Sequence, residues 1–260
     1  MKKRSVSLLA LLGAVACTAG LMAGCSMQDD GLGQYDESKV VFRQLEPMKD
    51  GEEIAVVQTT YGEMRLRFFP EEAPNAVANF KALAQEGFYN GKEIFNIQIV
   101  TEDETSDEIL NVAYVTGAED RDGVKGAVAS SVNNGKPFNK ELSYNVYPFP
   151  GAVAAYSDKN TCDSRFFVVG DVPITDAVRE GMNKSQFPQL IQDKFEEVGG
   201  VPSLTQSYSV FAQIYEGLDV SEKILNVPTD TEGRPTESVA ILSVTFESYD
   251  PQQASQAESE

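Results

Sequence analysis

From about residue 52 onward, short apolar runs alternate with turn residues. Ile54-Ala55-Val56-Val57-Gln58-Thr59-Thr60 runs into the turn Tyr61-Gly62, and Met64-Arg65-Leu66-Arg67-Phe68-Phe69 then alternates apolar with basic residues. A period of two marks a half-buried strand, and two such runs across a tight Gly turn predict a hairpin. Pro70 ends it. The period changes after Pro74, which suits a first helical turn. Val77, Phe80, Leu83 and Ala84 share one face at helical spacing, and Gly87 stops the helix. Further strands are predicted near Glu93–Val100, Ile109–Thr116, Gly151–Tyr156, Phe166–Val169, Ser209–Tyr215 and Val239–Tyr249. Two helical stretches fall between Ile174 and Val198, and a short one near Val220–Leu225. Many strands and few helices predict a mainly β domain, an antiparallel barrel or sandwich with helices at its ends.

The flanks follow other patterns. Met1-Lys2-Lys3-Arg4 precedes an apolar stretch from Val6 to about Met22, broken by Ser7, Gly13, Thr18 and Gly20. A basic head before an apolar core is the layout of a secretory signal, and the run is marginal for a spanning helix. It closes on Met22-Ala23-Gly24-Cys25, which resembles a bacterial lipobox. Residues 1–24 are therefore read as a lipoprotein signal, with Cys25 carrying lipid at the extracytoplasmic face of the cell membrane. An uncleaved anchor is the alternative, and Cys17 after Ala14-Val15-Ala16 is a weaker lipidation candidate. Residues 25–51 are polar and acidic and read as a tether, and 250–260 as a disordered tail. Between them, 52–249 form one domain of roughly 200 residues, an ordinary single-domain size.

Charge and chemistry narrow the function. The chain holds 40 acidic residues against 21 Lys+Arg and has no His. Loss of Lys2, Lys3 and Arg4 with the signal takes the net charge from −19 to −22. Such a chain repels nucleic acid and anionic lipid. Without His, most Ser-His and Cys-His catalysis is excluded, as is the commonest zinc ligand; no metal or cofactor is expected. Only Cys162 remains after processing, so no internal disulfide is expected.

Specific residues go further. Thr59-Thr60-Tyr61-Gly62-Glu63-Met64 with Leu66, then Phe69-Pro70, Ala73-Pro74, Val77, Asn79-Phe80, Leu83-Ala84, Glu86-Gly87-Phe88-Tyr89 and Gly91, form one block. Ser164-Arg165-Phe166-Phe167-Val168 forms a second. The third is Gly199-Gly200-Val201-Pro202, Tyr208-Ser209-Val210-Phe211, Glu216-Gly217-Leu218-Asp219-Val220 and Lys223-Ile224. In this order they resemble the cyclophilin family of peptidyl-prolyl isomerases over about residues 52–248. The helical segment 172–198 is similar to an insert of longer bacterial members. The resemblance implies a closed eight-stranded antiparallel β-barrel capped by helices. It implies isomerisation of X–Pro bonds in proline-containing segments of exported proteins, by a monomer with no cofactor.

That reaction must twist a peptide bond over a barrier of about 20 kcal/mol. It asks for an apolar pocket, donors for the flanking carbonyl, and a cation or donor near the prolyl nitrogen, where a lone pair appears as resonance is lost. The resemblance places Phe95, Tyr114, Thr116, Ala155, Phe167, Leu204 and Tyr208 at the substrate groove. The family's catalytic Arg is replaced by Ile97 in Phe95-Asn96-Ile97-Gln98-Ile99, and its wall residue by Ala113. Turnover is therefore expected to be reduced. Arg165, in place of a Gln that borders the groove in relatives, is a candidate substitute cation; the alternative is an ion pair with Asp163 or Asp171. Two further readings are a catalytically weak peptide-binding or chaperone-like module and an unrelated β-rich surface lipoprotein.

Overall fold

The structure, a computed structural model, describes residues 40–101, 109–120 and 122–252. The signal, Cys25, most of the tether and residues 253–260 lie outside the described residues.

The hairpin forms as its alternation requires. β1 (Glu53–Thr59) pairs with β2 (Gly62–Phe68), with Val57 opposite Met64 and Thr59 opposite Gly62. The Thr59 hydroxyl donates to the Gly62 carbonyl at 2.8 Å across the turn. The helix α1 (Pro74–Gln85) starts at Pro74 with no cap from its own N-cap, Ala73. Its open N–H groups are taken from a distance, because the Glu141 carboxylate accepts from the backbone of Asn75 and Ala76 at 3.0 Å. An anion there also suits the positive end of the helix.

The remaining elements are β3 (Asn96–Thr101), β4 (Ile109–Thr116), the short β5 (Phe138–Asn139), β6 (Ala152–Asp158) and β7 (Thr161–Val169). They are followed by α2 (Asp176–Lys184), α3 (Gln189–Val198), β8 (Ser209–Glu216), α4 (Leu218–Leu225) and β9 (Ile241–Ser248). Apart from β5, which pairs with β7, the strands lie in the order β3-β4-β7-β6-β8-β2-β1-β9, all antiparallel. Between the end strands, Gly91 N–H donates to Ile241, Ile94 N–H to Val239, and Ile241 N–H back to Lys92, at 2.7–2.9 Å. Eight strands thus wrap a core, with the gap between β9 and β3 spanned by segment 91–94.

The inner core is aromatic at its centre. Phe80 of α1 lies 4.9 Å from the Tyr89 ring and 5.6 Å from both Phe166 and Phe211. Truncating a ring so placed costs about 3–5 kcal/mol. α4 packs Val220 against the hairpin turn, where a side chain at Gly62 would lie 2.9 Å from a Val220 methyl. α1 and α4 pack against the barrel strands, as the resemblance implies.

A separate small core has Tyr147, Phe149, Met182, Ile191 and Phe195 buried, with Val40 and Phe42 against them. The predicted insert is therefore the helix pair α2–α3, and the end of the expected tether packs onto its core. Gln44 accepts from Tyr147 N–H at 2.6 Å and donates to the Tyr147 carbonyl at 2.8 Å. Arg67, 8% exposed, donates to the carbonyls of Arg43 and Glu46 and pairs with Glu52 at 2.7 Å. Residues 40–46 are thus a strap belonging to the domain.

Candidate active site

Each strand has an inner and an outer face, and neighbouring residues point opposite ways. On β7, Phe166 enters the inner core and Phe167 joins an outer cluster with Ala113, Val115, Ala154, Tyr156 and Leu204. Phe95 and Tyr208 pack against that cluster and stay partly exposed. The rings of Phe167 and Tyr208 meet edge to face with centroids 4.9 Å apart. Leu204 sits on a 3-10 turn, Pro202–Leu204, begun by a proline at its first position. Burial pushes the Tyr208 hydroxyl above its ordinary pKa, so it is a protonated donor at neutral pH. The structure thus brings Phe95, Phe167, Leu204 and Tyr208 together as an apolar patch with a hydroxyl at its rim.

Tyr114, Thr116 and Ala155 are corrections to the expected groove. Tyr114 pairs with Val168 and Ile97, while Thr116 and Ala155 both pair with Phe166; partners in register share a face, and this one is the interior. Tyr114 is 2% exposed and accepts from the Ser221 hydroxyl at 3.4 Å. Burial drives its ionisation well above the ordinary range. The Thr116 hydroxyl donates to the Glu93 carbonyl at 2.9 Å. Ile97, at 1% exposure, belongs to the same inner core. Ala155 is one residue from the outer positions Ala154 and Tyr156. Tyr156 escaped the sequence reading, although alternation from Ala154, the partner of Phe167, reaches it once the β6–β7 register is known.

Arg165 does not serve as a free cation. It is 6% exposed, and its Nε and Nη2 donate to the Asp163 carboxylate at 3.0 and 2.6 Å. Nη1 donates to the carbonyls of Gly123 and Val124 at 3.1 and 2.9 Å. Burial alone lowers its pKa, but the Asp163 hydrogen bond and charge outweigh that and hold it above the usual value. The guanidinium lies 4.8 Å over the Tyr156 ring. The ion pair with Asp163, one of the two partners considered, is the arrangement found. A second arginine at the outer cluster, Arg67 over Phe69 at 5.7 Å, is bound to Glu52 and the strap.

Cys162 is buried in the inner core, where burial pushes its thiol up to about 12. It remains a neutral packing group at physiological pH. Beside Phe95, a cleft of about 270 Å³ is lined by Gly91, Lys92, Glu93, Ala118, Glu119 and Asp120.

Comparison with known proteins agrees with this fold. The model of the family "Cyclophilin type peptidyl-prolyl cis-trans isomerase/CLD" matches residues 54–246. A Staphylococcus aureus (strain COL) protein named "Putative peptidyl-prolyl cis-trans isomerase" is 30% identical over 201 residues, 77% of this chain and 94% of its own. A Staphylococcus saprophyticus protein of the same name is 28% identical over 205 residues, 78% and 96% of the two chains. Among solved structures, a Cryptosporidium parvum cyclophilin-type isomerase superposes with a TM-score of 0.54 at 19% identity, over 76% of this chain and 99% of that one. A second structure of it, in the presence of the dipeptide Ala-Pro, gives a TM-score of 0.53 at 20% identity, over 75% and 99% of the two chains.

Proposed function

We propose, for a chain that belongs to the cyclophilin-type peptidyl-prolyl cis-trans isomerase family, that it binds proline-containing segments of exported proteins on the outer face around Phe167 and isomerises them slowly. The observation that carries this reading is the meeting of Phe167, Leu204, Tyr208 and Phe95 on one face. The patch offers the proline ring apolar contact, and Tyr208 offers the flanking carbonyl a donor. Low turnover follows from what the patch lacks. The two arginines that stack on the outer cluster, Arg67 on Phe69 and Arg165 on Tyr156, are held by carboxylates and carbonyls. Loss of one preorganised donor at a developing charge costs about 10²–10³ in rate.

The floor is also nearly covered, with Phe167 3% and Leu204 8% exposed. That favours a second reading, a peptide-binding module that retains little turnover. The two separate in one experiment: exchange spectroscopy of a prolyl tetrapeptide with the purified domain, beside a family member that holds the Arg. We expect saturable binding with isomerisation at least about tenfold slower than that member. A rate equal to the reference rejects the low-turnover proposal. Phe167→Ala should abolish binding; retained affinity would move the site elsewhere.

The basic head, apolar run and Cys25 support an extracytoplasmic, lipid-anchored location. Cys25→Ser is expected to release the protein from the membrane fraction of a cell that processes lipoproteins. Continued membrane retention would support the uncleaved anchor or Cys17.

A further inference from the structure

The segment Asp122–Gly126 passes between Arg165 and Phe95. Gly123 has φ +70°, and a side chain there would place its Cβ 2.4 Å from two Phe95 ring carbons. The main chain therefore lies directly on the ring. Gly126 approaches Asp163 as closely, because a Cβ would stand 2.0 Å from its Oδ1. Arg165 holds the carbonyls of Gly123 and Val124, and Asp163 Oδ1 in turn accepts from the Arg165 backbone N–H at 2.9 Å. On its other side the guanidinium covers Tyr156 of the outer cluster. One buried ion pair thus connects the two aromatic residues that border Phe167's face at Phe95 and Tyr156.

We propose that Arg165 is a positioning residue for prolyl-peptide binding: by fixing Gly123 on Phe95 it sets the shape of the patch, and so the affinity for the peptide, without touching the reacting bond. This rests on the outer face being the peptide site. A planar fork is needed, since one group must bond a carboxylate and two carbonyls at once; Lys supplies the charge without the fork. Arg165→Lys therefore behaves like Arg165→Gln, whereas a cation acting on the prolyl nitrogen is rescued by Lys. Asp163→Asn also discriminates. Freeing a catalytic Arg raises turnover; loosening a positioning Arg weakens binding.

The test is calorimetric titration of an Ala-Pro-containing tetrapeptide into each variant, with kcat and KM from exchange spectroscopy. For Arg165→Lys, Arg165→Gln and Asp163→Asn, Kd and KM should rise about tenfold, as for loss of a charge-assisted bond set, with kcat within twofold. Removing one partner of a buried pair can unfold a domain. Gly123→Ala therefore carries the same test with the pair intact, because its methyl collides with Phe95 and its φ disfavours any side chain. A fall in kcat at unchanged Kd, full rescue by Lys, or wild-type affinity in every variant overturns the proposal. A wild type that binds no prolyl peptide overturns the peptide-site reading and the proposal with it. A wild type that binds, with variants that bind equally, overturns the positioning role alone.

Discussion

Ile97→Arg, which writes the family's catalytic residue into the strand where the motif places it, is expected to unfold the domain and leave catalysis no faster. Ile97 is 1% exposed, faces Tyr114 across β3 and β4, and lies in the inner core. Its N–H donates to the Gly233 carbonyl at 2.7 Å, so the backbone at this point is fixed from both sides. A guanidinium in that position is an unpaired charge in an apolar interior. Such substitutions cost about 3–5 kcal/mol or more, against a total stability of about 5–15 kcal/mol for a domain of this kind. Urea denaturation should show a large drop in midpoint, or no soluble protein. A stable Ile97→Arg protein with enhanced turnover would show that Ile97 is on the wrong face in this reading of β3.

Deleting everything before Pro47 is expected to have the second largest effect. It removes the Phe42 ring, 5.3 Å from Tyr147 and 6.1 Å from Phe149, and the Val40 side chain beside it. It also removes the Gln44 bonds to both Tyr147 backbone groups and two of the acceptors on the buried Arg67. Half-burying two apolar side chains is worth about 2–3 kcal/mol, and the hydrogen bonds about 1 kcal/mol each. A loss of about 6–7 kcal/mol follows as an upper figure, since the unfolded chain buries some of this surface already. The helix pair α2–α3 should lose amide-exchange protection before the barrel does, because the strap is part of its core. An unchanged urea midpoint for the truncated chain would mean that the strap lies on the domain without supporting it.

The sequence made the architecture legible because core positions carry most of the pattern. The hairpin, α1 with its Val77, Phe80, Leu83 and Ala84 face, and the paired phenylalanines of β7 are all set by alternation that burial enforces. The site was less legible because a one-residue offset turns an outer position into an inner one. The register shifts between Gln98 and Ile99, and again between Val153 and Ala154. A motif match carries no register, and so it put Tyr114, Thr116 and Ala155 on the groove although their cross-strand partners Ile97, Val168 and Phe166 lie in the inner core. Phe167 and Tyr208, by contrast, do fall together on one outer face. The strap was missed since acidic residues surround it, although Val40-Val41-Phe42 is an apolar run out of keeping with a solvated tether. For Arg165 the sequence offered Asp163, two residues back, as a partner; the carbonyls it also grips belong to a segment some forty residues away and carried no such signal.

The strap also fixes a distance. A chain that joins the domain at Val40 and carries lipid at Cys25, as proposed, has about 15 residues between the two, and even fully extended these span at most about 50 Å. A tether running to residue 51 would reach almost twice as far. Anchored in that way, the domain would be a short-range worker, confined to a shell little deeper than its own diameter above the bilayer. It would meet chains as they emerge from the membrane, while a client that had diffused away would lie beyond its reach.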